Sequence, residues 1–197
     1  MAIAAGAVAI PATSADTSSV NLDVAERGAA LLQPFKRDLK QALTTGLQEG
    51  PAAAVSACKL EAPAIAAQLS IAGVTMGRTS HRLRNPKNAG PAWADAVLQQ
   101  YLKNADAAAP ELRQLDDGRT GYVEPIRMQA MCLTCHGASL APDLAARIEA
   151  AYPNDQATGF ELGDIRGVFW VAFAEDSGAH HAETSDSHHD ETAHHKN

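Results

Sequence analysis

The run Gly167-Val168-Phe169-Trp170-Val171-Ala172-Phe173 decides the fold, because an unbroken apolar stretch rich in β-branched and aromatic residues predicts a central, buried strand. Two more β-rich stretches, residues 74–80 and 121–128, can pair with it. Apolar residues recur at helical spacing over residues 24–47, 52–69, 93–101 and 142–151. Because helices and strands do not alternate as βα units, the sequence predicts an α+β fold, with an antiparallel sheet, flanking helices and an N-terminal helical pair.

The chemically informative motif is Cys132-Leu133-Thr134-Cys135-His136, which follows the second β-rich stretch. On a helical turn the Cβ atoms of Cys132 and Cys135 would lie on one face, roughly 5–6 Å apart. Two thiols so placed can each form a thioether to a vinyl group of haem, and His136 can then be the proximal ligand of the iron. The motif therefore predicts a covalently bound haem c.

Two other chemistries fit the same residues. A zinc site would need about four ligands, usually as two close pairs, and the remaining cysteine, Cys58, is far upstream and alone. A thiol–disulfide redox pair would be expected to open a helix in a βαβ pattern, and the surrounding sequence has no such pattern. Both alternatives, as well as a chance occurrence of the motif, stay open at this stage.

The length and composition of the chain predict three parts. We expect a signal-like or disordered segment at residues 1–20, one c-type haem domain at residues 21–175, and a disordered tail at residues 176–197. The formal net charge is −7, but residues 174–197 hold six acids and one base, which leaves 17 acids and 15 bases elsewhere. No basic stripe stands out, so a nucleic-acid partner is not expected.

The tail contains six of the eight histidines and has no apolar face. Its composition predicts disorder, and its histidines suit loose binding of divalent metal ions. The alternative is a solvated tail without a specific role.

Residues 2–10 are small and apolar, and Thr13-Ser14-Ala15 resembles a signal-peptidase site, although no positive region precedes them. The alternative is a disordered apolar tail. Haem is attached to CxxCH motifs outside the cytoplasm, so we expect an exported, periplasmic protein. The run is too short to span a bilayer and no apolar stretch of about 18 residues occurs elsewhere, so no transmembrane segment is expected.

Several separated stretches carry a family resemblance: residues 57–58 (AC), 62–66 (APAIA), 77–80 (GRTS), 84–88 (RNPKN), 125–126 (PI), 132–137 (CLTCHG), 152–159 (YPNDQATG) and 163–167 (GDIRG). Together they resemble a family of small c-type haem domains, which occur free-standing and as the sensory part of bacterial histidine kinases. The resemblance implies a PAS-like α+β fold, a single haem c, and a role in sensing redox state or a small gas. It also implies that Cys58 is an axial ligand of the iron. From the residues alone, Cys58 is an odd thiol, and a small buried apolar side chain is the more common role for such a residue.

Other side chains are candidates for contact with the haem. Possible sixth ligands besides Cys58 are His81, Met76, Met128 and Met131, although methionines near strands more often fill a core. Guanidinium groups pair well with haem propionates, and the candidates are Arg78, Arg84 and Arg166, with a structural role as the alternative. Asp164 is expected to hold Arg166 or to cap a turn.

Three functions follow from these features. The first is a haem-based sensor of redox state or of a small gas, in which a labile Cys58 thiolate opens the sixth position. The second is a soluble monohaem electron carrier with a redox partner protein. The third is a non-haem CxxC redox or zinc protein. We do not expect an enzyme, because the sequence shows no second acid–base constellation.

Overall fold

A four-stranded antiparallel sheet forms the centre of the structure, a computed structural model that describes residues 15–174. Its strands are β1 (Thr75–Thr79), β2 (Glu111–Gln114), β3 (Thr120–Arg127) and β4 (Ile165–Ala172). Their order is β1-β4-β3-β2, so β4 has a neighbour on each side. The prediction of a central strand at residues 167–173 is confirmed, and so is the α+β fold with an antiparallel sheet and flanking helices.

Helices flank the sheet. Within the described residues they are α1 (Ala15–Glu49), α2 (Pro51–Ser56), α3 (Ala62–Leu69), α4 (Ala92–Lys103), α5 (Leu133–His136) and α6 (Pro142–Ala151). Short 3-10 turns of the described range lie at Pro86–Asn88, Ala105–Ala107 and Ala130–Cys132. A π-helical segment, Ala57–Glu61, joins α2 to α3, so that residues 51–69 form one continuous helical stretch, close to the predicted 52–69.

The N-terminal helical pair consists of α1 and the stretch that begins with α2. Helix α1 starts at Ala15, inside the segment 1–20 that the sequence predicted to be signal-like or disordered. Extending an existing helix costs little per residue, so a helix can run beyond the residues that show an apolar stripe. The two helices meet closely at Gly46, whose missing side chain lets the backbone of Ala54 approach.

The sequence did not predict strand β2, which pairs with β3 through Glu111–Val123 and Gln114–Thr120. It is a short edge strand of four residues, none of them fully buried, so it carries no apolar run. The turn that follows contains Asp117-Gly118, with Gly118 at a φ of 84° that favours glycine.

The core lies on both faces of the sheet. On one face Leu32 and Phe35 of α1 pack against Tyr122 and Val171. On the other face Val97 and Leu98 of α4 pack against Val123 and Val168. Tyr122 and Val123 are adjacent in β3, so successive side chains enter opposite cores. This arrangement fixes α1 against one face of the sheet, where the cavity described below is found.

Two predictions concern residues outside the described range: the signal-like segment as far as residue 14, and the histidine-rich tail with its proposed metal binding. Among the helices of residues 15–174, none has the length and apolar character needed to cross a membrane.

Candidate functional site

A cavity of about 310 Å³ lies between the N-terminal helices, one face of the sheet and the CxxCH motif. Leu39, Leu43 and Leu47 of α1 form one apolar wall, because residues four apart share a helix face. Phe169 of β4 adds to the apolar lining. Four arginines also line the cavity, so it combines an apolar wall with positive charge.

The motif lies on a helical turn, which is the condition under which its two thiols share one face. The 3-10 turn Ala130–Cys132 runs directly into α5, which ends at His136. The N–H of Cys132 donates to the carbonyl of Gln129 at 2.9 Å, and that of Gly137 donates to Leu133 at 2.9 Å. Cys132, Cys135 and His136 all line the cavity. The turn therefore presents both thiols and the imidazole to one space.

His136 is held in a single orientation. Its Nδ1 lies 2.7 Å from the carbonyl oxygen of Ala157. A carbonyl can only accept, so Nδ1 carries the proton and Nε2 keeps a free lone pair. Burial lowers the pKa of His136 to about 3, helped by the positive charges of Arg166 and Arg84. The imidazole is therefore neutral at ordinary pH, the form that binds a metal.

Arg84 and Asp155 form a buried ion pair beside the motif, with side chains only 9% and 10% exposed. Arg84 Nη2 lies 3.0 Å from Asp155 Oδ2, and the same nitrogen donates to the carbonyls of Cys135 at 2.6 Å and Ala157 at 3.2 Å. The predicted propionate contact of Arg84 thus competes with three protein acceptors. Its guanidinium chiefly holds the motif and the 155–157 loop.

Arg166 and Arg78 bring further positive charge to the cavity. Arg166 donates to Ser80 Oγ and, at 3.3 Å, to the carbonyl of Arg82. Burial lowers the pKa of Arg166 to about 10, and the neighbouring Arg78 and Arg84 act in the same direction. Neither Arg166 nor Arg78 forms an ion pair with a carboxylate of residues 15–174. This surplus of positive charge suits a ligand with carboxylate groups.

Cys58 lies on the π-helical segment, is half-buried and lines the same cavity as the motif. The three cysteines are free thiols in this structure, and burial raises the pKa of the Cys135 thiol. The structure thus brings Cys58 together with Cys132, Cys135 and His136 across more than seventy residues of sequence. π-Helical turns are rare and are frequent at functional sites.

The other candidate ligands divide into two groups. His81 and Met76 are not among the residues of the described range that line the cavity. The His81 ring packs edge-on against Phe160 at 5.6 Å between centroids, and Met76 belongs to the core beneath α1. Met128 and Met131 do line the cavity. Met128 is buried against Phe160, as expected of a core methionine.

Asp164 caps a turn, which is one of its two predicted roles. Its Oδ2 accepts from the backbone N–H of Glu161 at 2.8 Å. No three His, Cys, Asp or Glu side chains between residues 15 and 174 group as a metal-ion cluster. The described residues therefore do not provide the closed four-ligand arrangement of a structural zinc site.

Asp155 and Ala157 are the site residues that sequence reasoning missed. The sequence analysis includes residues 152–159 in the family resemblance but predicts no role at the site for either residue. Asp155 Oδ1 accepts from the N–H of Ala157 at 2.8 Å, an Asx-type turn that an Asp in a loop can signal. The contact of Ala157 with His136 has no sequence signature.

The residues that line the cavity can be compared with the groups that haem binding needs. Haem needs two thiols at CxxC spacing, a neutral imidazole with a free Nε2, an apolar wall and positive charge for its carboxylates. The cavity provides each of these from Cys132, Cys135 and His136, the α1 leucines, and Arg78 with Arg166. The residues present therefore fit the group.

Fold and site together define a class: an α+β domain whose N-terminal helices and sheet enclose a cavity with a thiol pair, a tautomerically fixed imidazole and excess guanidinium charge. The chain belongs to the Tll0287-like family, whose model (Tll0287) matches residues 15–174. It is also similar to a solved structure described as the crystal structure of the cyanobacterial heme-protein Tll0287. The sequences are 25% identical, the TM-score is 0.57, and the match covers 85% of this chain and 100% of that chain. No curated protein matches this chain. The predicted resemblance to a family of small haem-protein domains is confirmed.

Proposed function

We propose that this protein binds one haem through thioether bonds to Cys132 and Cys135, that His136 and Cys58 would hold its iron, and that the protein acts as an exported, periplasmic sensor of redox state or of a small gas. The convergence of these four residues on one cavity carries the proposal. Family membership and the similar heme-protein structure support it. We propose a sensing role and no enzymatic turnover.

Bound haem would supply an iron that exchanges one electron and accepts a diatomic ligand. The chain's own residues do the remaining work. The helical turn 130–136 holds the two thiols on one face, and the carbonyl of Ala157 keeps the imidazole proton on Nδ1. Arg78 and Arg166 would attract its propionates. The α1 leucines that line the cavity would provide an apolar wall for the macrocycle.

Cys58 is the element that favours a sensor over an electron carrier. A thiolate is a strong donor, but protonation or reduction weakens its bond to iron. Cys58 also lies in a π-helical segment, where the regular hydrogen-bond ladder is interrupted. A bond between Cys58 and the iron would connect the haem to the helical stretch that packs on α1, so that the bonded and unbonded forms would be two distinguishable states.

The experiment compares optical and EPR spectra of the ferric and ferrous forms of wild type and Cys58→Ala, after expression with haem c maturation factors. Leu60→Ala is the matched control, because Leu60 lies in the same π-helical segment but is 66% exposed. We expect Cys58→Ala alone to lose the thiolate signature of the ferric protein. Unchanged Cys58→Ala spectra would remove Cys58 from the iron and favour a carrier, and a wild type without a Soret band would refute haem binding.

A further inference from the structure

The buried ion pair of Arg84 and Asp155 contacts the CxxCH motif, although Arg84 lies 51 residues before Cys135 in the sequence. Arg84 Nε lies 3.2 Å from each carboxylate oxygen of Asp155, and Nη2 bridges the carbonyls of Cys135 and Ala157. One guanidinium thus ties three separate chain segments together. Lysine has no planar fork of donors and cannot reproduce this set of contacts.

Asp155 completes the connection to the imidazole. Its Oδ1 accepts from the N–H of Ala157 at 2.8 Å, and the carbonyl of Ala157 accepts from His136 Nδ1 at 2.7 Å. The next backbone groups also hold the loop, because Gly159 and Phe160 donate to the carbonyls of Gly137 and His136 at 3.0 Å. The carbonyl that orients His136 therefore sits at the end of a chain of contacts that begins at Arg84.

We propose that Arg84 and Asp155 are positioning residues that set the orientation and hydrogen-bond strength of the His136 imidazole, and through it the donor strength of His136 toward iron. The effect on the donor strength toward iron rests on the proposed function, because it requires bound haem. The effect on the orientation of the His136 ring does not require haem. A hydrogen bond from the second ring nitrogen fixes the tautomer and raises the basicity of a ligating imidazole.

The test is Arg84→Lys in the full chain, which keeps the positive charge and loses the fork. Arg82→Lys is the matched control, since Arg82 donates to the same loop at Thr158 and Gly159 but not to Ala157. The first readout is the ¹⁵N NMR spectrum of the histidine rings in chain expressed without haem, with His136 assigned from His136→Gln. We expect wild type and Arg82→Lys to show His136 protonated at Nδ1. In Arg84→Lys we expect the ratio of the Nδ1–H tautomer to the Nε2–H tautomer of His136 to drop by roughly fivefold or more. A fivefold change corresponds to the net free energy of one ordinary hydrogen bond.

The second readout is the midpoint potential of the matured protein. Because the charge is unchanged, a shift in Arg84→Lys reports positioning rather than direct electrostatics. A weaker imidazole donor stabilises ferric iron less, so the potential should rise. A change of about fivefold in the reduction equilibrium corresponds to about 40 mV at 59 mV per tenfold.

Removing one partner of a buried ion pair outright is strongly destabilising, so alanine variants are avoided. Should Arg84→Lys not fold, as judged by circular dichroism, Asp155→Asn takes its place, because an amide of the same shape weakens the contact with Arg84 but still fits the loop. This substitution changes the charge, so only the NMR ratio is compared, and it is expected to drop in the same direction. An unchanged tautomer ratio in the folded variant, or a potential that stays constant or falls, overturns the inference. Absence of bound haem in wild type would instead refute the proposed function. The NMR measurement would still decide whether Arg84 and Asp155 orient the His136 ring.

Discussion

Gly46→Ala should destabilise the protein although alanine is the better helix former. A Cβ at position 46 would lie 2.8 Å from Cα and 2.9 Å from N of Ala54, both backbone atoms that no rotamer change can move. Carbon atoms prefer about 3.5–4.0 Å, so α1 and α2 would have to separate by about 0.7–1.2 Å. Overpacking of this kind costs about 1–3 kcal/mol, and the helix propensity of alanine returns up to about 1 kcal/mol. We expect a net loss of about 1–2 kcal/mol.

The assay is urea unfolding followed by circular dichroism, with Thr45→Ala as control because Thr45 is the exposed neighbour on the same helix. Thr45→Ala should stay within about 0.5 kcal/mol of wild type. The displaced helical stretch, residues 51–69, also contains Cys58. The ferric EPR signal of matured Gly46→Ala should therefore broaden or shift. A Gly46→Ala protein as stable as wild type, or more stable, would refute the close packing of α1 on α2.

The remaining predictions concern charge, strand packing and pH. Arg78→Gln should leave the free energy of unfolding of the haem-free chain within about 0.5 kcal/mol. In the matured protein its midpoint potential should fall, because removing a cation favours the more positive ferric state; an unchanged potential would place Arg78 away from the haem. Gly167→Ala should cost about 3 kcal/mol in urea unfolding, because its Cβ would lie 2.0 Å from the carbonyl oxygen of Thr79, and wild-type stability would contradict that contact. Burial raises the pKa of Tyr101 well above its ordinary value of 10, so above that pH the unfolded phenol ionises first and stability falls as pH rises. Stability measured against pH should therefore decline less in Tyr101→Phe, and equal declines would contradict the prediction.

The sequence predicted those parts of the fold that depend on local pattern. Strand β4 contains most of an uninterrupted apolar run and α4 has a clear apolar stripe, so both were located within a few residues. Strand β2 was missed because an edge strand of four partly polar residues buries too little to leave a pattern. The start of α1 was missed because helix propagation at Ala15 does not need an amphipathic face.

The candidate site also has parts that the sequence predicted and parts that it did not. The sequence identified the motif and, given a helical turn, predicted that its two thiols share one face, while the family resemblance implied Cys58. The pairing of Arg84 with Asp155 joins residues 71 positions apart, and its role depends on backbone carbonyls that carry no side-chain identity. Such contacts arise only once the chain has folded, so no spacing rule could have supplied them.

The central claim is that haem is bonded covalently to Cys132 and Cys135, and the mass of the intact protein tests it most directly. After expression with haem c maturation factors and denaturation, the account predicts a chain heavier by one haem, about 616 Da, in wild type and by none in Cys132→Ala/Cys135→Ala. A wild-type chain at its bare mass would contradict the account.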